Sequence, residues 1–227
     1  VANTINFKSP ANFTVGSSAN RIGYGDVDGD GKTDVIVCNS GTGTVSVYRN
    51  TSTSGSVSFT SAYTVGTGFS FPGQPSMGDL DGDGKLDLVF MTASAPAAAN
   101  VYRNTSTVGS VSFALPIVLP YTTNANSSCL ADIDGDGRLD IVGNASSTVS
   151  IFRNTTQAVG SISYAARVSF SAGNTVAAIT TGDVDGDSKP DVLVATSGTT
   201  TSLSVFRNTS SPGSIANVFW QFVCGKR

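Results

Sequence analysis

An acidic motif that occurs four times at nearly constant spacing constrains this 227-residue chain more than any other feature. Each copy has the pattern D-x-D-G-D-x-x-x-D, and the copies start at Asp26, Asp79, Asp132 and Asp183. The starts are separated by 53, 53 and 51 residues. A fixed period of this length is typical of architectures in which one small structural unit is stacked several times. The chain is therefore expected to fold as four similar units.

All 16 acidic residues of the chain are aspartates, and all belong to these four motifs. They occupy positions 1, 3, 5 and 9, with glycine at position 4 and, in three copies, at position 6. Ca²⁺ is a hard cation that takes about six to eight oxygen ligands, and glycine permits the positive φ angles of a tight loop. Each motif is therefore predicted to bind Ca²⁺, up to four ions in all. The alternative is a set of turns without metal, which the repulsion among four unpaired carboxylates disfavours.

The predicted ligands are the four aspartates of each motif and, by analogy with helix-flanked calcium loops, the backbone carbonyl at position 7. In the first two motifs they are Asp26, Asp28, Asp30, Lys32 and Asp34, and Asp79, Asp81, Asp83, Lys85 and Asp87. In the last two they are Asp132, Asp134, Asp136, Arg138 and Asp140, and Asp183, Asp185, Asp187, Lys189 and Asp191. The fourth loop deviates most, because Ser188 replaces the second glycine and Pro190 stiffens its exit.

Four short segments recur in each unit, and none shows helical periodicity. An outer segment alternates apolar and polar residues, as in 57–59, and an inner segment of mostly small residues leads into the acidic loop, as in 128–131. The loop is followed by an apolar run, as in 35–37, and by a segment that ends in Tyr/Phe-Arg-Asn-Thr, as in 149–155. Four strands per unit predict the blades of an all-β propeller. Such blades must stack, since a single one cannot bury both of its faces.

The acidic loop between the first two strands of a unit of about 50 residues resembles the FG-GAP/VCBS repeats of integrin α-subunit propellers and of many secreted bacterial proteins. The resemblance covers residues 4 to about 215. The Phe-Gly and Gly-Ala-Pro words that name the family are not clearly present, so the likeness is to its looser VCBS-like branch. It implies a calcium-binding propeller with the calcium loops on one face and the ligand on the opposite face.

The number of blades departs from the seven that are usual in that family. Residues 4–7 precede the first inner strand and can complete the last blade. The expected fold is therefore one domain, residues 1–227, a β-propeller of four four-stranded blades closed by the N-terminal outer strand. Its repeats are expected at 4–54, 55–108, 109–159 and 160–212, followed by a divergent tail at 213–227.

Two alternatives to the closed four-bladed ring stay open. The chain can be part of a larger seven- or eight-bladed propeller, or a dimer that forms one. The closed ring is favoured because an open array would leave an apolar blade face exposed. A closed ring in turn predicts a monomer over a dimer. The tail begins like a fifth outer strand and competes with residues 4–7 for one place in the sheet.

Composition argues against several function classes. The chain has no histidine and no glutamate, and every aspartate belongs to a loop, so general acid/base and nucleophilic catalysis lack their usual residues. We predict that it is not an enzyme. The sequence has no stripe of basic residues that would indicate nucleic-acid binding. It also has no segment of the ~18 apolar residues that a membrane span needs. Weak calcium loops are tuned to extracellular calcium, so a secreted or cell-surface protein is expected.

Other recurring or isolated residues are expected to be structural. The arginine of the fourth segment is predicted to bond turn carbonyls or the neighbouring blade while its stem covers apolar surface. The asparagine after it matches the glycosylation sequon, but is predicted to cap a turn instead. Cys38 and Cys129 are predicted to be small core residues and Cys224 a free thiol. The arginines are Arg49, Arg103, Arg153 and Arg207, and the asparagines are Asn50, Asn104, Asn154 and Asn208.

The function predicted from these features is that of a protein-binding or adhesion module in which calcium is mainly structural. A carbohydrate-binding, lectin-like propeller is the alternative, and a spacer segment of a large bacterial surface protein is the second alternative. The partner is accordingly an extracellular protein or glycan. Phe69, Phe71 and Tyr121 break the repeat pattern and are candidate ligand-binding aromatics, unless they pack beneath their own loops.

Overall fold

The protein is described by a computed structural model over residues 6–66, 72–93, 97–121, 125, 127–198, 201–216 and 221–223. Within those ranges the chain forms strands and no helix that could span a membrane. The sixteen strands make four antiparallel sheets of four strands each. This confirms the predicted all-β class and the four similar units.

The strands follow one another within each sheet in chain order, so neighbouring strands are joined as hairpins. The first sheet contains β1 (Ala19–Gly25), β2 (Asp34–Asn39), β3 (Thr44–Asn50) and β4 (Phe59–Gly66). The second contains β5 (Ser76–Gly78), β6 (Asp87–Thr92), β7 (Ala98–Tyr102) and β8 (Ile117–Pro120). The third contains β9 (Ser128–Ala131), β10 (Asp140–Ala145), β11 (Thr148–Phe152) and β12 (Val168–Ser171). The fourth contains β13 (Thr175–Gly182), β14 (Asp191–Ser197), β15 (Leu203–Phe206) and β16 (Gln221–Val223).

The predicted inner, central and third strands are confirmed in all four sheets. Every residue of β6 and β10 is buried, as the apolar runs after the acidic loops require when both faces of a strand are covered. The acidic loops connect the first two strands of each sheet and therefore lie at one end of it.

In the first three sheets the outer strands lie further along the chain than the sequence predicted, and in the first sheet β4 begins at Phe59, the last residue of the predicted segment 57–59. Segments 111–113 and 162–164 make only isolated bridges, between Phe113 and Asn104 and between Tyr164 and Asn154. The regular ladders of β8 and β12 begin at Ile117 and Val168. The reason is packing, because the apolar side chains of these two segments belong to the core between sheets.

Closure by the N-terminal outer strand is not what the structure shows. Residues 4 and 5 lie outside the described residues, and Asn6 and Phe7 belong to no strand. The place is taken by β16 of the tail, which pairs with β15 as the fourth strand of the fourth sheet. The tail follows directly on the third strand, as the fourth strand does in the other sheets. Cys224 lies outside the described residues.

Successive sheets pack against each other along the chain. Strand contacts between sheets join β1 to β5, β5 to β9 and β9 to β13, and no comparable contact among the described residues joins the fourth sheet to the first. Three hydrophobic core clusters fill the three junctions. Each sheet therefore depends for burial on its neighbours, as in other repeat proteins.

Small residues on the inner strands make this close packing possible. A Cβ atom on Gly25 would lie 2.6 Å from Cδ1 of Leu86, and one on Gly78 would lie 2.7 Å from Cδ1 of Leu139. Both leucines come from the acidic loop of the following sheet. The inner strand therefore has no room for a side chain where the next loop presses against it.

A buried asparagine joins each junction. Nδ2 of Asn104 donates to the carbonyl of Val27 in the preceding sheet at 2.8 Å and to that of Leu86 in its own sheet at 2.9 Å. Its Oδ1 accepts from the Ser106 amide at 2.8 Å. Asn154 and Asn208 repeat these contacts. The predicted turn caps are confirmed, and burial makes these three sequons inaccessible to a glycan.

Both cysteines within the described ranges are free, as predicted. Cys38 is buried, and its Sγ donates to the carbonyl of Gly73 at 3.2 Å. Cys129 is partly buried and packs against the core between the third and fourth sheets. Burial raises the pKa of Cys38 to about 12 and that of Cys129 to about 11, so both behave as small apolar residues.

The junction bond can be measured with a matched pair of asparagines. Asn50 caps its turn and bonds Thr33 within its own sheet, but reaches no preceding sheet. Asn104→Ala is expected to lower the free energy of unfolding by about 3 kcal/mol, and Asn50→Ala by about half as much, because only the first leaves a buried carbonyl of another sheet unpaired. Urea denaturation at fixed pH and salt measures both. Equal losses would show that the bond between sheets contributes nothing.

Candidate metal centres

The aspartate at position 1 shapes each acidic loop by accepting backbone hydrogen bonds. Oδ1 of Asp26 accepts from the amides of Gly29 and Asp30 at 2.9 and 3.1 Å, and Oδ2 accepts from Gly31 at 2.8 Å. The positive φ angles of Gly29 and Gly31, 74° and 84°, let the chain curl around that carboxylate. The same position is held by Asp79, Asp132 and Asp183.

The fourth loop keeps this geometry with a less suitable residue. Ser188 has a φ of 66°, where the other loops place a glycine, and its amide still donates to Oδ2 of Asp183 at 2.8 Å. Side chains resist positive φ because of their Cβ atom. The fourth loop, whose sequence deviates most, is thus also the most strained of the four.

The aspartate at position 9 ties the loop to the third strand. In the first sheet Oδ2 of Asp34 accepts from the Val27 amide at 2.9 Å and Oδ1 accepts from the Asn50 amide at 2.8 Å. Its equivalents, Asp87, Asp140 and Asp191, make the same two kinds of bond and are fully buried. Burial raises the pKa of Asp87 to about 6 and that of Asp140 to about 7, although the backbone donors oppose the shift.

The recurring arginine binds the carboxylates at positions 3 and 5. Nε of Arg49 donates to Oδ2 of Asp28, and its Nη2 donates to Oδ2 of Asp30 at 2.7 Å. Arg103 and Arg207 make the same two pairs, while Arg153 approaches its aspartates no closer than 3.8 Å. The predicted structural role thus involves loop carboxylates instead of turn carbonyls. Sequence reasoning missed these partners, although the fixed place of the arginine in every repeat pointed to a repeated contact.

In the first, second and fourth loops the arginine helps to lower the pKa of the aspartate at position 3. Burial alone would raise the pKa of Asp28, but the hydrogen bond from Arg49 and the backbone donors outweigh it, so the pKa lies below its ordinary value. Asp81 shows the same balance with Arg103. In the fourth sheet the bond from Arg207 is the main cause of the lowered pKa of Asp185.

The following sheet contributes a further donor to each of the first three loops. The amide of Gly109 donates to Oδ2 of Asp28 at 3.0 Å, that of Gly160 to Oδ2 of Asp81 at 2.8 Å, and that of Gly213 to Oδ2 of Asp134 at 2.8 Å. Each glycine lies in the turn after the third strand of the next sheet. A sequence motif cannot reveal this contact, because the two partners are about 80 residues apart.

Each loop gathers carboxylate oxygens closely enough for one cation. In the first, second and fourth loops, atoms of positions 1, 3 and 9 lie within 4.8 Å of one another, and in the third loop those of positions 1, 3 and 5 do. Oxygens on opposite sides of a Ca²⁺ ion are roughly 4.6–5.2 Å apart. The structure therefore brings together three of the four predicted carboxylates per loop. The predicted carboxylate that lies outside this cluster is at position 5 in the first, second and fourth loops and at position 9 in the third loop.

The donor set and the charge fit a hard divalent cation. Only oxygen ligands are present, and Oδ1 of Asp134 is buried without a hydrogen-bond partner, which is costly unless a cation neutralises it. Each repeat has four loop aspartates, one recurring arginine and one basic residue at position 7, so the formal charge of these six side chains is −2. One Ca²⁺ ion would balance this charge.

The position 7 residues contact the protein through side chain and amide. Nζ of Lys85 donates to the carbonyl of Ser106 at 2.8 Å, and Nζ of Lys189 to that of Ser210 at 2.8 Å. Their amides donate to the aspartate at position 5, as do those of Lys32 and Arg138. Their carbonyls remain predicted ligands.

The candidate aromatic ligand residues do not form an exposed site within the described ranges. Tyr121 is 7% exposed, packs against Phe152 with ring centroids 5.3 Å apart, and lies beneath the guanidinium of Arg167. Its ring is part of the core, so the expectation that it faces a ligand is corrected. Phe69 and Phe71 lie outside the described residues.

The metal-free protein is expected to lose stability between pH 5 and pH 8. The folded pKa values of about 6 for Asp87 and about 7 for Asp140 exceed the ordinary value of about 3.9. Their contribution is therefore fully present below about pH 4 and is lost as the pH rises through 6 and 7. Melting temperatures of metal-stripped protein should fall by at least about 5 °C over this range.

Added Ca²⁺ should reduce or reverse that trend, since a metal ion replaces the protons. The double variant Asp87→Asn/Asp140→Asn provides the control and should show a flatter profile without metal. A melting temperature of the metal-stripped wild type that rises from pH 5 to pH 8 would contradict the raised pKa values.

The repeat matches a known family. The model of the FG-GAP-like repeat matches residues 26–90, 79–143 and 132–194, and each match begins at an acidic loop. No curated protein matches the chain.

Proposed function

Because the chain belongs to the FG-GAP-like repeat family, we propose that it is an extracellular, calcium-binding β-propeller module that binds a protein ligand. The observation that carries the calcium assignment is the clustering of three carboxylate oxygens within 4.8 Å in each of the four loops. The sheets are then propeller blades, and calcium joins the strands of each blade at the loop end.

The role of calcium in this proposal is structural. A bound ion would remove the repulsion among the carboxylates that the arginine and the position 7 residue leave unbalanced. The carboxylates already accept backbone and arginine donors, so few positions are open for a substrate. The chain has no histidine and no glutamate, so general acid/base catalysis lacks its usual residues. We therefore propose no catalytic role.

Ligand binding is proposed at the end of the sheets opposite the acidic loops. Two sets of connections meet there: those between the second and third strands of a sheet, and the segments that lead into the first strand of a sheet. The backbone amide of Ser40 donates to the carbonyl of Ser18 at 3.1 Å, that of Tyr121 to the carbonyl of Ala97 at 2.8 Å, and that of Ala172 to the carbonyl of Ser147 at 2.7 Å. These connections differ in sequence from sheet to sheet, whereas the acidic loops do not. Variable loops held by a rigid scaffold are a common place for binding.

Calcium binding is expected to occur in two classes. Three ions should bind tightly and a fourth more weakly, because the fourth loop contains Ser188 and its Asp185 side chain is 35% exposed, against 0% for Asp28, Asp81 and Asp134. Native mass spectrometry during a calcium titration counts the ions. Ser188→Gly should strengthen the weak site about two- to fivefold, because glycine relieves the strain.

The matched variant Gly137→Ser should weaken the third site by a similar factor. Melting in excess chelator should occur at a markedly lower temperature than in calcium. No bound ions in the titration, or an unchanged melt after chelation, would remove calcium from the proposal.

To test protein binding, we would measure how strongly the protein binds to immobilised extracellular matrix proteins and, in parallel, to a glycan array. A matrix-protein signal that is lost when residues 40–43 are replaced by the two-serine turn at 146–147 supports the proposal. The control variant Lys32→Arg/Thr33→Leu places two residues of the third acidic loop in the first acidic loop, at the opposite end of the sheet. It should bind the matrix protein as the wild type does. Discrete glycan hits without protein binding would instead indicate a lectin, and no binding to either would indicate a spacer.

A further inference from the structure

Among the described residues, one face of the first sheet and one face of the fourth sheet have no neighbouring sheet packed against them. We call the side of the first sheet that points away from the second the leading face, and the side of the fourth sheet that points away from the third the trailing face. On the trailing face Val184, at position 2 of the acidic loop, is 54% exposed, while Val27, Leu80 and Ile133 at the same position are each 2% exposed. The following sheet covers that position in every other case.

The three internal junctions show what chemistry covers this position. Each contains an apolar contact from the segment after the glycine turn: Val111 belongs to the cluster of Val27, Ile162 to that of Leu80, and Ile215 to that of Ile133. Each also contains a hydrogen bond from the buried asparagine to the carbonyl at position 2. A third contact is the glycine amide that donates to the aspartate at position 3.

The trailing face has the apolar position and both hydrogen-bond acceptors of this joint and, within the described ranges, none of the donors. In the part of the chain that the structure describes, neither the carbonyl of Val184 nor the carboxylate of Asp185 accepts a hydrogen bond from another sheet. Next to them, Gly182 has open space where Gly25 and Gly78 meet a leucine of the next sheet. The trailing face is therefore shaped for a further repeat of this type.

The leading face has the other half of the same joint. Val57, the equivalent of Val111, is 60% exposed, and Tyr24 on the inner strand is also exposed. Gly55, with a φ of 81°, occupies the position in its turn that Gly109, Gly160 and Gly213 occupy in theirs. No described residue accepts a hydrogen bond from its amide. Among the residues that the structure describes, Nδ2 of Asn50 donates to the Thr33 carbonyl of its own sheet and to no other sheet.

We propose that a second copy of this chain binds head to tail, with its leading face on the trailing face of the first. The two faces are complementary in shape and in hydrogen-bonding groups, because each repeats one half of a joint that the chain makes three times internally. Across the described parts of the chain, the first and fourth sheets of one chain make no contact comparable to those between successive sheets. The sequence favoured a monomer because residues 4–7 were expected to close the ring, but β16 holds that place.

The contact is heterologous, since different faces of the two copies meet. Such a contact closes into a ring when the rotation between copies fits and extends otherwise. Two copies that close would give eight sheets around one axis. The joint also adds an amide donor to the exposed Asp185, as the next sheet does for the other three loops.

A complementation experiment tests the head-to-tail contact directly. Val57→Glu blocks the leading face only, and Val184→Glu blocks the trailing face only, because each places a charge where an apolar contact would be buried. Both side chains are exposed in the single chain, so each variant should fold. Val118→Glu is the matched control, since Val118 is 51% exposed on the outer strand β8, away from both faces.

Sedimentation velocity over a concentration series, with and without calcium, measures the result. The wild type and Val118→Glu should self-associate equally, and each face variant should associate at least about tenfold more weakly. An equimolar mixture of the two face variants should recover a one-to-one complex, because one intact joint remains between them. Val57→Ser and Val184→Ser replace the glutamate variants if either of those fails to fold.

Three outcomes would overturn the proposal. A wild-type chain that stays monomeric at all concentrations excludes the second copy as the occupant of the trailing face. Self-association that neither face variant weakens places the contact elsewhere. Variants that weaken association but do not recover it when mixed would indicate a symmetric contact instead of a head-to-tail one. None of these results depends on the ligand of the proposed binding end.

Discussion

Burial of sheet faces is the constraint on which this fold depends. A four-stranded sheet has two faces, and the central strands are apolar on both. No sheet can cover them alone, so the three core clusters form between sheets instead of within them. The inner strand carries glycine where the next loop presses on it. Local sequence and stacking therefore depend on each other.

The second requirement is electrostatic. Concentrating every acidic side chain in four loops would be strongly unfavourable if the charges stood alone. The protein offsets them with one arginine per sheet, with backbone amides and, in three loops, with an amide of the next sheet. Asp87 and Asp140 add the cost of burial, which raises their pKa values to about 6 and about 7. A divalent cation completes this arrangement in the proposed function.

Features that repeat locally could be predicted from the sequence. The period of the acidic motif gave four units, and the apolar run after each motif gave the buried central strand. The positions of carboxylates, turn-capping asparagines and core cysteines also followed from residue type. Contacts between distant segments could not be predicted in this way. The pairing of Gly109 with Asp28 depends on how two sheets stack, and no short motif records it.

Two of the features that sequence reasoning placed differently have a clear physical cause. Residues 4–7 and the tail are both apolar enough to serve as an outer strand, and chain connectivity decides in favour of the tail. Tyr121 breaks the repeat pattern because it fills the core between the second and third sheets, where it packs on Phe152. An unrepeated aromatic can thus mark irregular packing as readily as a ligand surface.

The division of each joint between the two sides of one sheet has an evolutionary consequence. Every unit brings an acceptor half on one side and a donor half on the other, so a duplicated unit inserted anywhere in the array finds both of its neighbours already suited to it. Loss of a unit likewise brings two matching halves together. Gene duplication can therefore lengthen or shorten such a chain without inventing a new interface, and selection acts on the number of units separately from the chemistry that joins them.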